Sequence, residues 1–191
     1  MPKTGALDQL PLVHELNRAF LALLQSRVLE GRACLGLPPS ARAAVAAAPD
    51  GLLEGVSAFP RALFHLRLAP QPGGSASADV ATYFDDAEHD LCLSSLLAAR
   101  QTSRQSAYQA QFLFDLAPVD VQRLRGSPLA DMQQLACAPG VLHCAFGERQ
   151  WFWPQLFTAT RPELRRQLTL MALQPCVAMA WPQRRPPQST A

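Results

Sequence analysis

The sequence predicts a mainly α-helical protein made of two similar small helical repeats joined by a linker. Three observations support this fold class. Leu and Ala together fill 61 of 191 positions, against 14 aromatic residues, and this balance favours helices. Apolar residues recur at three- and four-residue steps, as on one face of a helix. The stretch 37–68 also aligns without a gap on 116–147, with Pro39 on Pro118, which indicates an internal repeat.

Composition excludes several classes of protein. With 49% apolar and 17% charged residues, the chain can bury a core. No apolar run approaches the roughly 20 residues of a membrane span. Asp8, Pro11 and Glu15 interrupt the stretch where a signal peptide would be apolar. We therefore expect a cytoplasmic protein that does not contact a membrane.

The cysteines indicate buried thiols and not a metal centre. There are five of them, and none forms the CxxC pair that is typical of structural zinc. An odd, scattered set fits a reducing compartment. We expect neither a metal nor a cofactor.

A stretch rich in Pro, Gly and Ser divides the chain at residues 69–80 and is typical of a flexible linker. The predicted domains are a first repeat at 1–68, this linker at 69–80, and a second repeat with a helical extension at 81–181. A proline-rich polar tail at 182–191 is predicted to be disordered.

Each repeat is predicted to open with a long amphipathic helix, at residues 12–28 in the first and 90–112 in the second. Proline corners then lead to two short helices in each repeat. The short helices are predicted at residues 40–47, 50–58, 118–125 and 128–136. Each repeat closes with a short apolar run, at 62–68 and 141–146, for which a strand and a last helical turn are both open.

Two features extend the second repeat. Trp151, Phe152 and Trp153 form an aromatic cluster that we expect to pack a C-terminal helix onto the core; a platform for stacking nucleic-acid bases is the alternative. Thr160 and Glu163 have the spacing of a capping box. They predict a helix that ends near residue 173.

The repeat unit resembles the D subunit of the flagellar master transcriptional activator (FlhD). In that family the first helix carries Asn, an aromatic residue, leucines and Gln, which correspond here to Asn17, Phe20, Leu21, Leu23 and Gln25. The second repeat follows the same pattern over residues 93–100 and 110–116, and the first is about one helical turn shorter between its long helix and its proline corner.

The terminal phrases of both repeats, at residues 63–68 and 142–146, are similar to the family's Cys-His-Phe-Arg-Phe. The family's cysteine falls on Phe64 and His143, so its intersubunit disulfide does not carry over. Members of the family hold a single copy and form an intertwined homodimer. A tandem chain is therefore expected to fold as an intramolecular pseudo-dimer, whose linker keeps the copies at a high effective concentration.

The resemblance implies a transcriptional activator subunit that works with a C-type partner (FlhC-like) on flagellar or related promoters. DNA is then contacted through the complex, and self-association is left open. The alternative is a protein-interaction module, an antagonist or adaptor, that does not bind DNA. An enzyme is not expected, because no glycines frame a nucleophile and no phosphate-binding loop is present.

Two sets of candidate residues follow. Arg161, Arg165 and Arg166 are candidates for DNA phosphate contact, with a solvated helix face as the alternative. The second set is a candidate interface between repeats or with the partner, namely Phe20, Leu24, Leu63, His65, Leu97 and Leu142.

Overall fold

The computed structural model describes residues 9–68, 85–159 and 162–173. Within these ranges the protein is mainly helical, as the sequence predicts. The helices are α1 (Leu10–Leu29), α2 (Pro39–Ala46), α3 (Asp50–Ser57), α4 (Asp86–Gln105), α5 (Ala107–Phe114), α6 (Pro118–Gly126), α7 (Leu129–Ala136), α8 (Phe152–Thr158) and α9 (Pro162–Leu173). The strands are β1 (Phe64–Leu66) and β2 (Leu142–Cys144). The predicted linker and tail, and the capping residue Thr160, lie outside the described residues.

Helix α1 begins where Pro11 occupies its first turn, a position at which the missing proline N–H costs little. It ends at Leu29, and Gly31 just beyond it has a left-handed φ of 68°. The N–H of Arg32 then bonds back to the carbonyl of Arg27 at 2.8 Å, so the last turn is closed as in a glycine C-cap. Between these ends the buried positions form one stripe along the helix.

The second long helix is broken, whereas the sequence predicted one helix over residues 90–112. Helix α4 ends at Gln105, and Ser106 is extended with φ −155°. The Ser106 hydroxyl then accepts a hydrogen bond from the Gln109 N–H at 3.3 Å and caps α5. The break has a local cause, because Ser competes with the helix for backbone hydrogen bonds and is favoured at N-caps.

The two short apolar runs at 62–68 and 141–146 each contain a strand. β1 and β2 pair antiparallel, with Phe64 opposite Cys144 and Leu66 opposite Leu142. Inner and outer positions alternate along both strands, as the two-residue period of a strand requires. This ribbon holds residues that are far apart in sequence next to each other.

A single core runs through the described residues. Helix α1 packs against α2, α3 and α4, and α4 packs against α5, α6 and α7. Helix α8 crosses back onto α2 and α3, and α9 lies on α8. The predicted aromatic cluster joins this core. Phe152 and Trp153 are fully buried, and the Trp153 indole donates to the carbonyl of Ala145 at 2.7 Å.

Candidate functional site

The strongest candidate site is the junction between the N-terminal half (residues 9–68) and the C-terminal half (residues 85–173). The β1–β2 ribbon forms its centre. Two backbone hydrogen bonds extend the ribbon, from Ala145 to the carbonyl of Leu63 at 2.9 Å and from Arg67 to that of Val141 at 2.8 Å. The strands are therefore paired beyond their three residues each, and the pairing ties the two halves together.

A buried ion pair lies between α1 and α4. Arg27 follows the apolar stripe of α1 and is only 6% exposed. Its guanidinium donates to the carboxylate of Glu88 and, at 2.9 Å, to the carbonyl of Ala33. The Asp85 carboxylate lies 3.7 Å from Arg27 and 3.0 Å from Arg32. Charged groups are costly to bury unless they are paired, and here the partners come from opposite halves.

A second ion pair borders the ribbon. Arg61, just before β1, pairs with the carboxylate of Asp115, which follows α5 in a left-handed conformation with φ 53°. The Arg61 guanidinium also lies 5.7 Å from the ring centre of Phe112 and 5.8 Å from that of Phe146. Cation–π contacts of this kind add to the pairing. The Arg61–Asp115 pair is therefore a second ion pair that joins the two halves.

Two histidines occupy the outer face of the ribbon. His65 and His143 are opposite each other in the register and are half-buried. Nδ1 of His65 lies 3.5 Å from the Asp115 carboxylate. Burial lowers the pKa of His65, and burial together with the charge of Arg67 lowers the pKa of His143. Both rings are therefore harder to protonate than a free histidine.

Four of the six predicted interface residues lie in the core. Phe20, Leu24, Leu63 and Leu142 are at most 1% exposed. Phe20 lies between Phe64, with ring centres 5.5 Å apart, and Trp153 at 6.4 Å.

The other two, His65 and Leu97, are half-buried. His65 and Leu142 belong to the ribbon, so the structure brings these two together at the junction. A role for any of the six in binding a partner stays a prediction.

The predicted phosphate-contacting residues are only partly described. Arg161 lies outside the described residues, Arg165 lies on α9, and the side chain of Arg166 is exposed. Helix α9 packs on α8 and is not part of the ribbon. DNA contact by these arginines stays a prediction.

Sequence reasoning missed the residues that fix the junction by polar contacts, chiefly Arg27 and Arg61. One signal was available for Arg27. It stands three residues after Leu24 on the buried stripe of α1, and a charge in that position needs a partner. The acidic stretch that contains Asp85 and Glu88 was visible in the sequence, but only the fold shows that the two meet Arg27.

A cavity of about 260 Å³ opens beside the Arg27 pair, between α1, α4 and the loop after α7. Arg27, Glu88, His89 and Cys92 line it from the helices. Burial raises the pKa of Cys92 to about 12, so its thiol stays protonated. In the described ranges no group of three or more His, Cys, Asp or Glu side chains is placed to hold a metal ion.

The fold thus defines a mainly helical protein whose two halves are joined by a two-stranded ribbon and by ion pairs. Comparison with protein-family models, with curated proteins and with solved structures gave no match. No helix in the described part of the chain has both the length and the apolar composition needed to cross a bilayer.

Proposed function

We propose that this chain is an FlhD-like subunit of a transcription regulator, folded as an intramolecular pseudo-dimer, which acts on promoters through a C-type partner. The observation that carries the proposal is the pairing of β1 with β2. By position in the strands, Phe64 corresponds to Leu142, His65 to His143 and Leu66 to Cys144, one residue off the ungapped alignment. Phe64 faces Cys144 and His65 faces His143. Both strands keep their first and last residues buried and their histidine on the outer face, and antiparallel pairing of two such strands is the arrangement that a two-fold axis between the halves gives.

The order and position of the elements support the same relation. The ungapped alignment places α3 on the range of α7, and α2 on that of α6 to within one residue. It places β1 to within one residue of β2. The packing also corresponds, since α1 contacts α2 and α3 just as α4 contacts α6 and α7.

The long helices α1 and α4 do not correspond in that ungapped alignment. They correspond at a different sequence offset, which places Leu16 on Leu91. Seven of the eight buried residues of α1 then fall on buried residues of α4. The pairs are Leu16/Leu91, Asn17/Cys92, Phe20/Ser95, Leu21/Leu96, Leu23/Ala98, Leu24/Ala99 and Arg27/Thr102. The two offsets differ by about one helical turn, which matches the extra turn that the sequence comparison indicates in the second repeat.

One polar contact is repeated in both halves. Nε2 of Gln25 on α1 donates to the carbonyl of Ala48, after α2, at 2.9 Å. Nε of Arg100 on α4 donates to the carbonyl of Ser127, after α6, at 2.9 Å. Gln25 corresponds to Arg100 at the offset of the long helices, and Ala48 to Ser127 at that of the short helices. The same tie between long and short helices supports a common origin of the halves.

The regulatory role rests on the resemblance. The FlhD-type subunit organises a complex in which the C-type subunit makes most DNA contacts. A net charge of +2 over 191 residues fits a subunit that binds DNA weakly alone, because affinity for DNA depends on many basic contacts. In this proposal Arg161, Arg165 and Arg166 supplement the contacts of the partner.

The first test is to purify the tagged full chain from its native cells and identify bound proteins by mass spectrometry. Recovery of a C-type subunit is the expected result. Its absence from the eluate, with a folded bait and the subunit present in the lysate, contradicts the proposal. Light scattering of the purified chain should give the mass of one chain, 20.8 kDa, because the internal pairing replaces the homodimer contact.

The second test measures promoter binding by the complex as a function of salt. Replacing both Arg165 and Arg166 by Ala should lower the salt slope by about 1 to 2, since each phosphate contact contributes roughly one unit. Replacing the exposed Arg18 and Arg42 by Ala removes the same charge from α1 and α2 and should leave the slope unchanged. Equal effects of both double variants would contradict a DNA contact on α9.

The interaction module without DNA binding is favoured by one observation. Several large apolar side chains lie exposed on the C-terminal half, including Tyr108 at 77%, Val119 at 71% and Leu170 at 60%. Aromatic side chains such as Tyr are enriched at protein-binding surfaces. A complex that forms with the C-type subunit but does not shift promoter DNA more than that subunit alone would favour this function.

A further inference from the structure

His65 and His143 are cross-strand partners at the centre of the junction. Their neighbours in each strand are buried, and the histidines alone occupy the outer positions. Side chains directly opposite each other in an antiparallel pair have Cβ atoms roughly 4.5–5.5 Å apart. The two imidazoles therefore interact across the boundary between the halves.

The ring of His143 is held by backbone from both halves. Nδ1 lies close to Gly36 of the N-terminal half, and Nε2 close to Gly140 of the C-terminal half. Both glycines have a left-handed φ, 82° and 76°. Burial and the charge of Arg67 lower the pKa of the ring, and the backbone of Gly140 and Leu35 raises it by a smaller amount.

Two cations and two carboxylates face this pair. Arg67 follows β1 and acts on both rings, and Arg61 precedes β1 and acts on His65. The facing carboxylates are Asp115, which already pairs with Arg61, and Glu148 in the turn after β2. From the loops before α2 and β2 only backbone groups, those of Leu35 and Gly140, reach His143.

We propose that His65 and His143 form a proton-sensitive clasp between the two halves. In neutral solution the uncharged rings pack against each other and the ribbon stays closed. In mildly acidic solution both rings become cations beside Arg61 and Arg67, and like charges directly opposite each other destabilise a strand pair. The ribbon then opens, while the Arg27 pair between α1 and α4 stays in place. This inference concerns the junction alone and does not depend on the regulatory role.

The direction of the effect follows from linkage. Burial lowers the pKa of both histidines in the folded protein, below the value of about 6.5 in an unfolded chain. The unfolded state therefore binds protons more readily than the folded state. The stability contributed by the neutral pair is complete above about pH 6.5 and is lost as the pH falls from there toward the folded pKa values.

The direct test follows the Cε1–Hε1 resonances of the histidines by NMR in the intact chain. Both His65 and His143 should titrate below about pH 6.5. Hydrogen exchange at about pH 5.5 and 7.5 measures the opening, after correction for intrinsic rates. The amides of Ala145 and Arg67, which bond across the halves, should lose protection at least about tenfold more than amides within α4. Titration of both rings at or above about 6.5, or equal loss throughout, overturns the proposal.

Variants provide an independent test of the pair. The melting temperature of the wild type should fall between about pH 7.5 and 5.5. In the His65→Gln/His143→Gln double variant the melting temperature should fall by less than about half as much. His89→Gln, beside Asp90 on α4, is the matched control and should keep the wild-type fall. An unchanged fall in the double variant overturns the proposal. If the double variant does not fold, the NMR titration of the native chain decides.

Discussion

The side-chain oxygen of Asn17 accepts the backbone N–H of Leu63 at 2.8 Å. Its Nδ2 is within hydrogen-bond distance of three carbonyls, those of Ser57 at 3.2 Å, Phe59 at 3.3 Å and Arg61 at 2.9 Å. Asn17 is fully buried, so one amide on α1 satisfies the backbone between α3 and β1. This contact fixes where β1 starts and therefore where the ribbon forms.

Replacing Asn17 by Ala should lower the free energy of unfolding by at least about 2 kcal/mol, because several buried backbone groups lose their partner. Urea unfolding followed by circular dichroism measures the change. Arg18→Ala, at the next and exposed position of α1, is the control and should have little effect. A loss of less than about 1 kcal/mol for Asn17→Ala would mean that water replaces the amide.

Glu88→Gln should destabilise the protein by roughly 1–3 kcal/mol, because the buried guanidinium of Arg27 loses the negative charge that pairs with it. A double-mutant cycle with Arg27→Met should give a coupling energy of similar size. Glu30→Gln removes one carboxylate of the exposed contact with Arg32 and should leave the free energy of unfolding unchanged. The same result for Glu88→Gln would contradict a structural role of the buried pair.

The cysteines should differ in reactivity according to burial. The pKa of Cys92 is raised to about 12 and that of Cys144 is raised further, in both cases mainly by burial, and only a thiolate reacts rapidly. Cys137 is exposed. In a Cys176→Ser background, a thiol reagent at about pH 8 should modify Cys137 first.

Peptide mapping by mass spectrometry identifies the modified cysteines. Labelling in urea is the control, since unfolding should expose every thiol to the reagent. Rapid modification of Cys92 in the folded protein would show that the cavity beside it opens to solvent.

Gly140→Ala should destabilise the protein by about 1 kcal/mol or more, because its left-handed φ of 76° is strained for Ala. A Cβ there would also lie 3.4 Å from Nε2 of His143. Gly51→Ala is the matched control on α3, where a Cβ meets nothing within 4 Å. It should stabilise by roughly 0.4–1 kcal/mol, since Ala at a compatible backbone position reduces the freedom of the unfolded chain. Thermal unfolding measures the stability change of each variant. A change of the same sign in both variants would contradict the expected backbone strain at Gly140.

The short helices could be predicted from sequence to within one residue at each end, because prolines fix their starts locally. Pro39 and Pro118 lie in the first turns of α2 and α6. The break at Ser106 was not predicted, because no Gly or Pro marks it within the polar stretch 100–106. The sequence did not decide between a strand and a helical turn for the apolar runs that contain β1 and β2. Three residues are too few to show whether apolar side chains alternate, as in a strand.

The site was less predictable than the fold. Leu63 and Leu142 were candidates through their place in the repeat, and both are buried at the junction. The polar contacts at the junction were not candidates. Arg27 and Glu88 are 61 residues apart, and Arg61 and Asp115 are 54 apart. No local pattern links residues at such separations.

Local chemistry in the sequence determined the helical class, the ends of the short helices and the apolar stripes that form the core. Those features depend on propensities and spacings within a few residues of each other. The tertiary structure alone decided that β1 pairs with β2, that Arg27 meets Glu88, and that His65 faces His143. These contacts join distant segments, and they form only when burial of the common core brings the two halves together.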